Sequence, residues 1–410
     1  MRAIISHVRK IQRTPEAQHS VWMLGGQFLV SVMAFILTYI LANYVSKEVV
    51  GEYRFILAAY GTISVFALYG MSTALMQSVA AGSLGSIYYA VKTKLKYGLI
   101  GSLLFSGLAV YYYFTTPESA LVWGLLLCAL LLPPLEAYGL YGSYLQGASA
   151  FKLSAIFLSA DRIFTTAVIA ISVYFSPTLI PIVGAYLLSH GLMVFILYYL
   201  SLKKIPPNTE YDDSLLPYAK HVTAMSLIGA VTAQLDKYIL FFFFGPVPLA
   251  MYWIASVLPQ EVARVVSVIA GTFFPRYVSA DSKTLLYTVR KLYWYSSAIL
   301  GMVCVTYYFL APFIFSIFLP QYIDADGISV VLMFGFGFMP HYLVWQIFSA
   351  KKQVKSLYYL SIGEPVLVMV LYLLLIPVYG IWGIAGALVI KVAVMNLLAI
   401  WYLYFRKAIL

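Results

Sequence analysis

The sequence predicts an all-α polytopic membrane protein, with twelve transmembrane helices arranged as two pseudo-symmetric six-helix lobes. Three observations lead there. Hydrophobic residues make up 62% of the 410 positions and charged residues only 10%, against roughly 25% charged in an ordinary soluble domain. The apolar residues gather into long uninterrupted runs. The second half of the chain repeats features of the first. No soluble fold has enough interior to hide this much apolar surface, which excludes a soluble enzyme, a secreted disulfide scaffold and a disordered chain.

A bilayer-spanning helix needs about 20 mostly apolar residues. Runs that meet this fall at 20–44, 51–79, 95–114, 120–144, 153–175, 179–200, 219–244, 249–274, 289–315, 327–349, 357–377 and 380–404, twelve in all. The first is preceded by a polar, basic tail and is too long for the apolar stretch of a cleavable signal peptide, so none is expected. The fourth and fifth are separated only by a short turn.

The basic excess, 26 Lys and Arg against 15 Asp and Glu, is first a statement about topology. With the N-terminal tail placed inside, alternate loops carry Arg2, Arg9, Lys10 and Arg13, then Lys92, Lys94 and Lys96, then Lys152. They continue with Lys203, Lys204 and Lys220, then Arg276, Lys283, Arg290 and Lys291. Lys351, Lys352 and Lys355 follow, and finally Arg406 and Lys407. The opposite loops offer Lys47 among the acids Glu48, Glu118, Asp324 and Asp326. The positive-inside rule places both termini in the cytoplasm and requires an even number of helices. No nucleic-acid partner is needed to explain the charge.

The longest break between runs, Ser201–Pro217, holds three prolines, two lysines and three acids near the midpoint of the chain. It divides an N-terminal lobe, 1–200, from a C-terminal lobe, 219–410, with 201–218 as a cytoplasmic linker. The halves are related. An offset of 199 sets Tyr39-Ile40-Leu41 on Tyr238-Ile239-Leu240 and Tyr53 on Tyr252. An offset of 203 sets Lys152 on Lys355 and Asp161 on Glu364, and one of 202 sets Gly184-Ala185 on Gly386-Ala387. Both halves start inside and contain an even number of helices, so the repeat is parallel. Such repeats recur in transporters, with the substrate path between the lobes.

Topology leaves five cations unexplained, Arg54, Arg162, Lys237, Arg264 and Lys391, and six acids at membrane depth, Glu52, Glu136, Asp161, Asp236, Glu261 and Glu364. A charge at a helix centre costs on the order of 2.5–3.5 kcal/mol by insertion scales, so it faces a wet cavity or a partner. Glu261 and Arg264, spaced i, i+3 near the middle of the eighth run, share a helix face. Lys391 lies mid-helix in the twelfth with no acid nearby in sequence. Asp161 adjoins Arg162 in the fifth, and Asp236 adjoins Lys237 in the seventh. Arg54 lies where snorkelling is cheap. Two readings stand for each pair. One is a salt bridge that clamps helices. The other is a cation set opening onto a cavity and taking an anionic group such as a diphosphate, where Arg offers forked contacts and Lys a point charge.

Asp161, Glu364, Asp236, Glu261 and Glu136 are candidates for ion coupling or gating. Glu364 precedes Pro365 and Glu136 follows Pro133-Pro134, where each proline removes a helical N–H. The competing reading for these acids is hydrogen bonding to the freed backbone groups. His190 reads as a satisfied core histidine. The tyrosines near helix ends read as interfacial anchors, and Cys128 and Cys304 as reduced thiols in apolar runs. There is no phosphate loop, zinc spacing or nucleophile motif, and neither a metal nor a cofactor is expected.

Several short motifs have a family likeness. Leu41-Ala42-Asn43-Tyr44-Val45-Ser46-Lys47-Glu48-Val49-Val50-Gly51-Glu52-Tyr53 resembles the segment joining the first two helices of the polysaccharide (O-antigen type) flippases. Leu235-Asp236-Lys237, Gly245-Pro246 and Ala250-Met251-Tyr252 resemble its counterpart in the second half. Phe274-Pro275-Arg276, Leu319-Pro320-Gln321-Tyr322, Ile376-Pro377-Val378-Tyr379-Gly380, Gly383 and Gly386-Ala387 continue the likeness over nearly the whole chain. The family often carries Arg where this chain has Asn43. It belongs to the multidrug/oligosaccharidyl-lipid/polysaccharide exporter superfamily.

The resemblance implies a MATE-like exporter fold, with two six-helix lobes around a central cavity and alternating access. It implies a lipid-linked oligosaccharide carried on undecaprenyl diphosphate as substrate, flipped toward the outer leaflet with an ion gradient as driver. It implies the bacterial cytoplasmic (inner) membrane as location, and polysaccharide polymerase and glycosyltransferases as further partners. Two other classes compete. A cation-coupled multidrug exporter of the same superfamily should have an acidic cavity. A membrane enzyme of polysaccharide assembly should have a large outer loop with a reactive constellation, and the outer loops here are short.

Overall fold

The computed structural model describes residues 15–116, 119–272, 277, 282–350 and 353–405. The cations Arg2, Arg9, Lys10, Arg13, Arg276, Lys351, Lys352, Arg406 and Lys407, the acid Glu118 and the motif Phe274-Pro275-Arg276 lie outside them. Within these residues the protein is all-α. The helices are α1 Pro15–Tyr44, α2 Lys47–Ile63, α3 Met71–Ala80, α4 Ser86–Thr115, α5 Ala120–Tyr138, α6 Tyr141–Gly147, α7 Phe151–Phe175 and α8 Leu179–Lys204. They continue as α9 Leu215–Phe244, α10 Pro246–Thr272, α11 Ser282–Phe318, α12 Asp326–Leu332, α13 His341–Ala350, α14 Val354–Tyr379 and α15 Ile381–Phe405.

These elements supply the twelve predicted spans. Eleven described segments are long and apolar enough to cross a bilayer. The remaining one, α10, is 27 residues long, enough to cross a bilayer. Three spans are broken. The second passes from α2 through a 3-10 turn, Ser64–Ala67, to α3. The fourth is α5 continued by α6. The tenth is a 3-10 turn Pro320–Ala325, α12, a π turn Met333–Gly337 and α13. Large apolar side chains such as Leu103, Phe114, Phe175 and Phe309 stand exposed along the helices, as lipid-facing surfaces require. The protein is a multi-pass membrane protein.

The chain packs as two units, residues 1–45 with 59–230, and residues 46–58 with 231–410. In the first, α4 packs on α5, α1 on α7, and α8 on both α5 and α7. The α4–α5 approach is close because Gly98 has no side chain. A Cβ there would lie 2.8 Å from Pro133 Cα. Pro133 denies the Ala129 carbonyl its helical partner, and Ser102 of α4 donates its hydroxyl to that oxygen at 2.5 Å.

The expected linker is tied down within this unit. Asn208 accepts from Gly85 N at 2.9 Å and donates to Gly82 O at 2.7 Å. Asp212 N donates to the Ser86 hydroxyl, and Tyr144 donates to Ile205 O.

In the second unit, α14 packs on α15 and α10 on α12 and the π turn. Pro259 repeats the device of Pro133. It frees the Ala255 carbonyl, and Ser329 of α12 donates to it at 2.6 Å. The motif residues converge here. A Cβ on Gly51 would fall 1.9 Å from Pro246 O, so only glycine admits the start of α10. Gly245 turns the chain before it with φ +86°. Lys47 sits over the Tyr322 ring at 5.2 Å. Gly380, at φ +58°, faces Phe244.

Candidate functional site

In the first unit, Asp161 of α7 is buried at 2% exposure. Adjacency in sequence suggested Arg162 as its partner. The structure corrects this. Successive residues on a helix point about 100° apart, and Asp161 instead meets His190 Nδ1 on α8 at 2.9 Å. Thr165, one turn on, donates to Asp161 at 3.4 Å, and Tyr186 stacks on the His190 ring at 5.9 Å. His190 is therefore satisfied, but by an ionisable partner. Arg162 is half-buried, and its Nε has no hydrogen-bond partner among the described residues.

Glu136 of α5 binds Lys94 of α4 at 2.9 Å and accepts from Tyr60 of α2 at 3.2 Å. Its expected ligands, backbone groups freed by Pro133-Pro134, are replaced by a cation. Lys94 is correspondingly no loop residue. It lies in α4 with 4% exposure, a position that counting it among inside loop cations did not anticipate.

In the second unit, Asp236 of α9 accepts from Tyr252 of α10 at 2.5 Å. Lys237 does reach it, at 3.2 Å, by folding back to hold the Ala233 carbonyl as well. Arg54 stacks its guanidinium on Trp253, 4.5 Å from the ring centre, a cation–π contact that shields it from the apolar surroundings. Glu52, its neighbour, sits half-buried on α2.

Lys391 has an acid partner after all. Its Nζ lies 3.4 Å from Glu364 on α14, 27 residues away in sequence. Next to it in the fold, His341 is fully buried. Asn396, one turn beyond Lys391, accepts from Tyr293.

Glu261 and Arg264 form the predicted i, i+3 pair at 2.6 Å. The Arg264 side chain is 43% exposed, against 9% for Lys391 and 17% for Lys237. Among these ion-paired cations it is the most accessible.

The geometry extends the internal repeat. Asp161 and Glu364 occupy matching places, and each meets a basic side chain on the helix that follows, His190 and Lys391. Each unit thus holds a membrane-depth acid paired with a basic side chain of the next helix, an imidazole in one and an ammonium in the other.

Comparison with known proteins adds the family. The family model described as polysaccharide biosynthesis protein matches residues 17–281. A search of curated proteins finds no match. Among solved structures, the inward closed conformation of the lipid II flippase MurJ is similar with TM-score 0.69 and 14% identity, covering 93% of this chain and 87% of that one. A MOP superfamily transporter from Pyrococcus furiosus is similar with TM-score 0.61 and 13% identity, over 97% and 98% of the two chains. An outward-facing multidrug resistance MATE transporter of the same superfamily follows with TM-score 0.60 and 12% identity, over 97% of each. These likenesses establish the MATE-like exporter fold. The chain itself belongs to the polysaccharide biosynthesis protein family.

Proposed function

We propose that this protein is a flippase. It moves an undecaprenyl-diphosphate-linked oligosaccharide, an O-antigen or other surface polysaccharide unit, across the bacterial cytoplasmic membrane by alternating access. The observation that carries the reading is the combination of an exporter fold with membership of a polysaccharide biosynthesis family. Both termini lie in the cytoplasm, and polysaccharide polymerase and glycosyltransferases act before and after it. The protein is a transporter rather than an enzyme.

The diphosphate enters from the inner leaflet and is met first by Arg264, the accessible cation. Lys391, Lys237, Arg162 and Arg54 are the further binding candidates, while the polyprenyl tail stays in lipid. A phosphate oxygen that takes the place of Glu364 on Lys391 leaves the carboxylate to accept a proton, which links substrate binding to the proton gradient. Asp161, paired with His190, is the equivalent gate in the other half. Asp236, Glu261 and Glu136 are secondary candidates.

The test is complementation of a strain lacking its own flippase. Arg264→Ala combined with Lys391→Ala, at normal protein level, should abolish surface polysaccharide. Unchanged polysaccharide would sink the cation site. Flipping insensitive to both proton and sodium gradients in reconstituted vesicles would sink the coupling. The likeness to a multidrug MATE transporter makes drug export the second reading. Raised drug resistance without polysaccharide rescue would select it.

A further inference from the structure

We propose that a basic, aromatic groove on α11 binds the phosphate of an anionic glycerophospholipid in the inner leaflet. The groove has a volume of about 540 Å³ and is lined by Tyr287, Arg290, Lys291, Trp294, Tyr295 and Tyr404. It is a built surface. Arg290 is held in place by Leu403 O at 2.6 Å and by the Tyr404 ring at 4.2 Å. Trp294 donates its indole N–H to the Tyr404 hydroxyl at 3.0 Å. These contacts use one guanidinium nitrogen and one ring face. The Arg290 Nε has no partner among the described residues. Lys291 is exposed beside Tyr295, and among the described residues no carboxylate lines the groove.

Depth selects a lipid phosphate over an apolar tail. Twenty-eight residues separate Arg290 from Phe318, the last of α11, or about 42 Å of helix. The hydrocarbon core is about 30 Å thick. With the turn after Phe318 at one interface, Arg290 and Lys291 emerge at the opposite headgroup layer. On the positive-inside assignment that layer faces the cytoplasm, where anionic lipids concentrate and basic pockets beside helices receive their headgroups. Tyr287 and Trp294, 71% and 51% exposed, supply the amphipathic rings that favour this layer.

The full chain is reconstituted in phosphatidylcholine nanodiscs with a rising fraction of phosphatidylglycerol bearing brominated acyl chains. The signal is the Trp294 component of quenching, taken as wild type minus Trp294→Phe. Quenching should saturate at a lower fraction of brominated phosphatidylglycerol than of brominated phosphatidylcholine. Lys291→Glu, which leaves the Arg290 contacts intact, should raise the half-saturating fraction about fivefold or more. Arg290→Ala with Lys291→Ala should remove the preference. Equal quenching by the two lipids, or a preference untouched by Lys291→Glu, would overturn the proposal. Reversal by inorganic phosphate alone would make the groove a free-anion site. Displacement by equimolar undecaprenyl diphosphate would make it a substrate entry path. Either outcome also overturns it. None of these readouts uses transport, so failure here leaves the flippase reading standing.

Discussion

Lys94 and Glu136 show what a single buried charge commits a membrane helix to. Lys94 is nearly inaccessible and meets Glu136 at 2.9 Å, so removing one partner leaves the other charged and unmatched. Lys94→Ala is expected to destabilise the protein by about 3–5 kcal/mol. Adding Glu136→Gln should recover much of that loss, as read by thermal unfolding in detergent. A positive coupling energy in that cycle is the outcome that matters, since independent effects would refute the pairing. Tyr252→Phe removes only a hydroxyl, but it is the donor to buried Asp236. A loss of about 1.5–3 kcal/mol, as for hydrogen bonds to a charged group, is expected in the same assay. Most of the residues charged at membrane depth were legible from sequence, but Lys94, counted among the loop cations, was not. Their partners were legible only for Glu261/Arg264 and Asp236/Lys237, where one helix carries both.

Individual elements depend on neighbours for backbone groups they cannot satisfy alone. Pro133 and Pro259 each free a carbonyl, and Ser102 and Ser329 each come from another helix to fill it. Ser102→Ala and Ser329→Ala should each cost about 1–3 kcal/mol by leaving a buried carbonyl unmatched. Both prolines are visible in sequence, but their serines are not, because nothing local marks them. Glycine behaves the same way. Gly51→Ala should displace the start of α10 and cost about 1–3 kcal/mol through overpacking. Gly107→Ala in α4, with open space around it, should be neutral or stabilising by up to about 1 kcal/mol. Equal unfolding temperatures for the two variants would refute the close approach. The 201–218 segment reads as a linker by composition, yet Asn208 ties it to Gly82 and Gly85. Asn208→Ala should therefore speed proteolytic cleavage within residues 205–214, followed by gel electrophoresis.

Across the whole molecule the clearest regularity is the repeat. Asp161–His190 and Glu364–Lys391 join equivalent neighbouring helices in the two halves. Removing each base tests whether the two pairs act alike. His190→Ala and Lys391→Ala each leave a carboxylate without its partner and should each cost about 1–3 kcal/mol, with Asp161→Asn or Glu364→Gln recovering much of the loss, as read by thermal unfolding in detergent. A coupling energy near zero in either cycle would refute that pairing. One signal for these pairs did lie in the sequence. Each pair, Lys94–Glu136 included, flanks the turn between two consecutive helices, α7–α8, α14–α15 and α4–α5, at distances from the helix ends that differ by three to five residues. Antiparallel neighbours bring residues at comparable distances from the turn to comparable depth.

By itself the sequence determined the membrane class, the twelve spans, the repeat and most of the charges at membrane depth. Each of these is a one-dimensional quantity, such as the length of an apolar run or the offset between matches. Only the tertiary structure decided that His190 rather than Arg162 serves Asp161, that Lys94 leaves the loop for the interior, and that Lys391 has Glu364. A helix fixes the angle between its own residues, but its rotation against a neighbour is set by packing. For α4 and α5 that packing includes the close approach of Gly98 to Pro133, and for α2 and α10 that of Gly51 to Pro246, contacts between residues far apart in the chain.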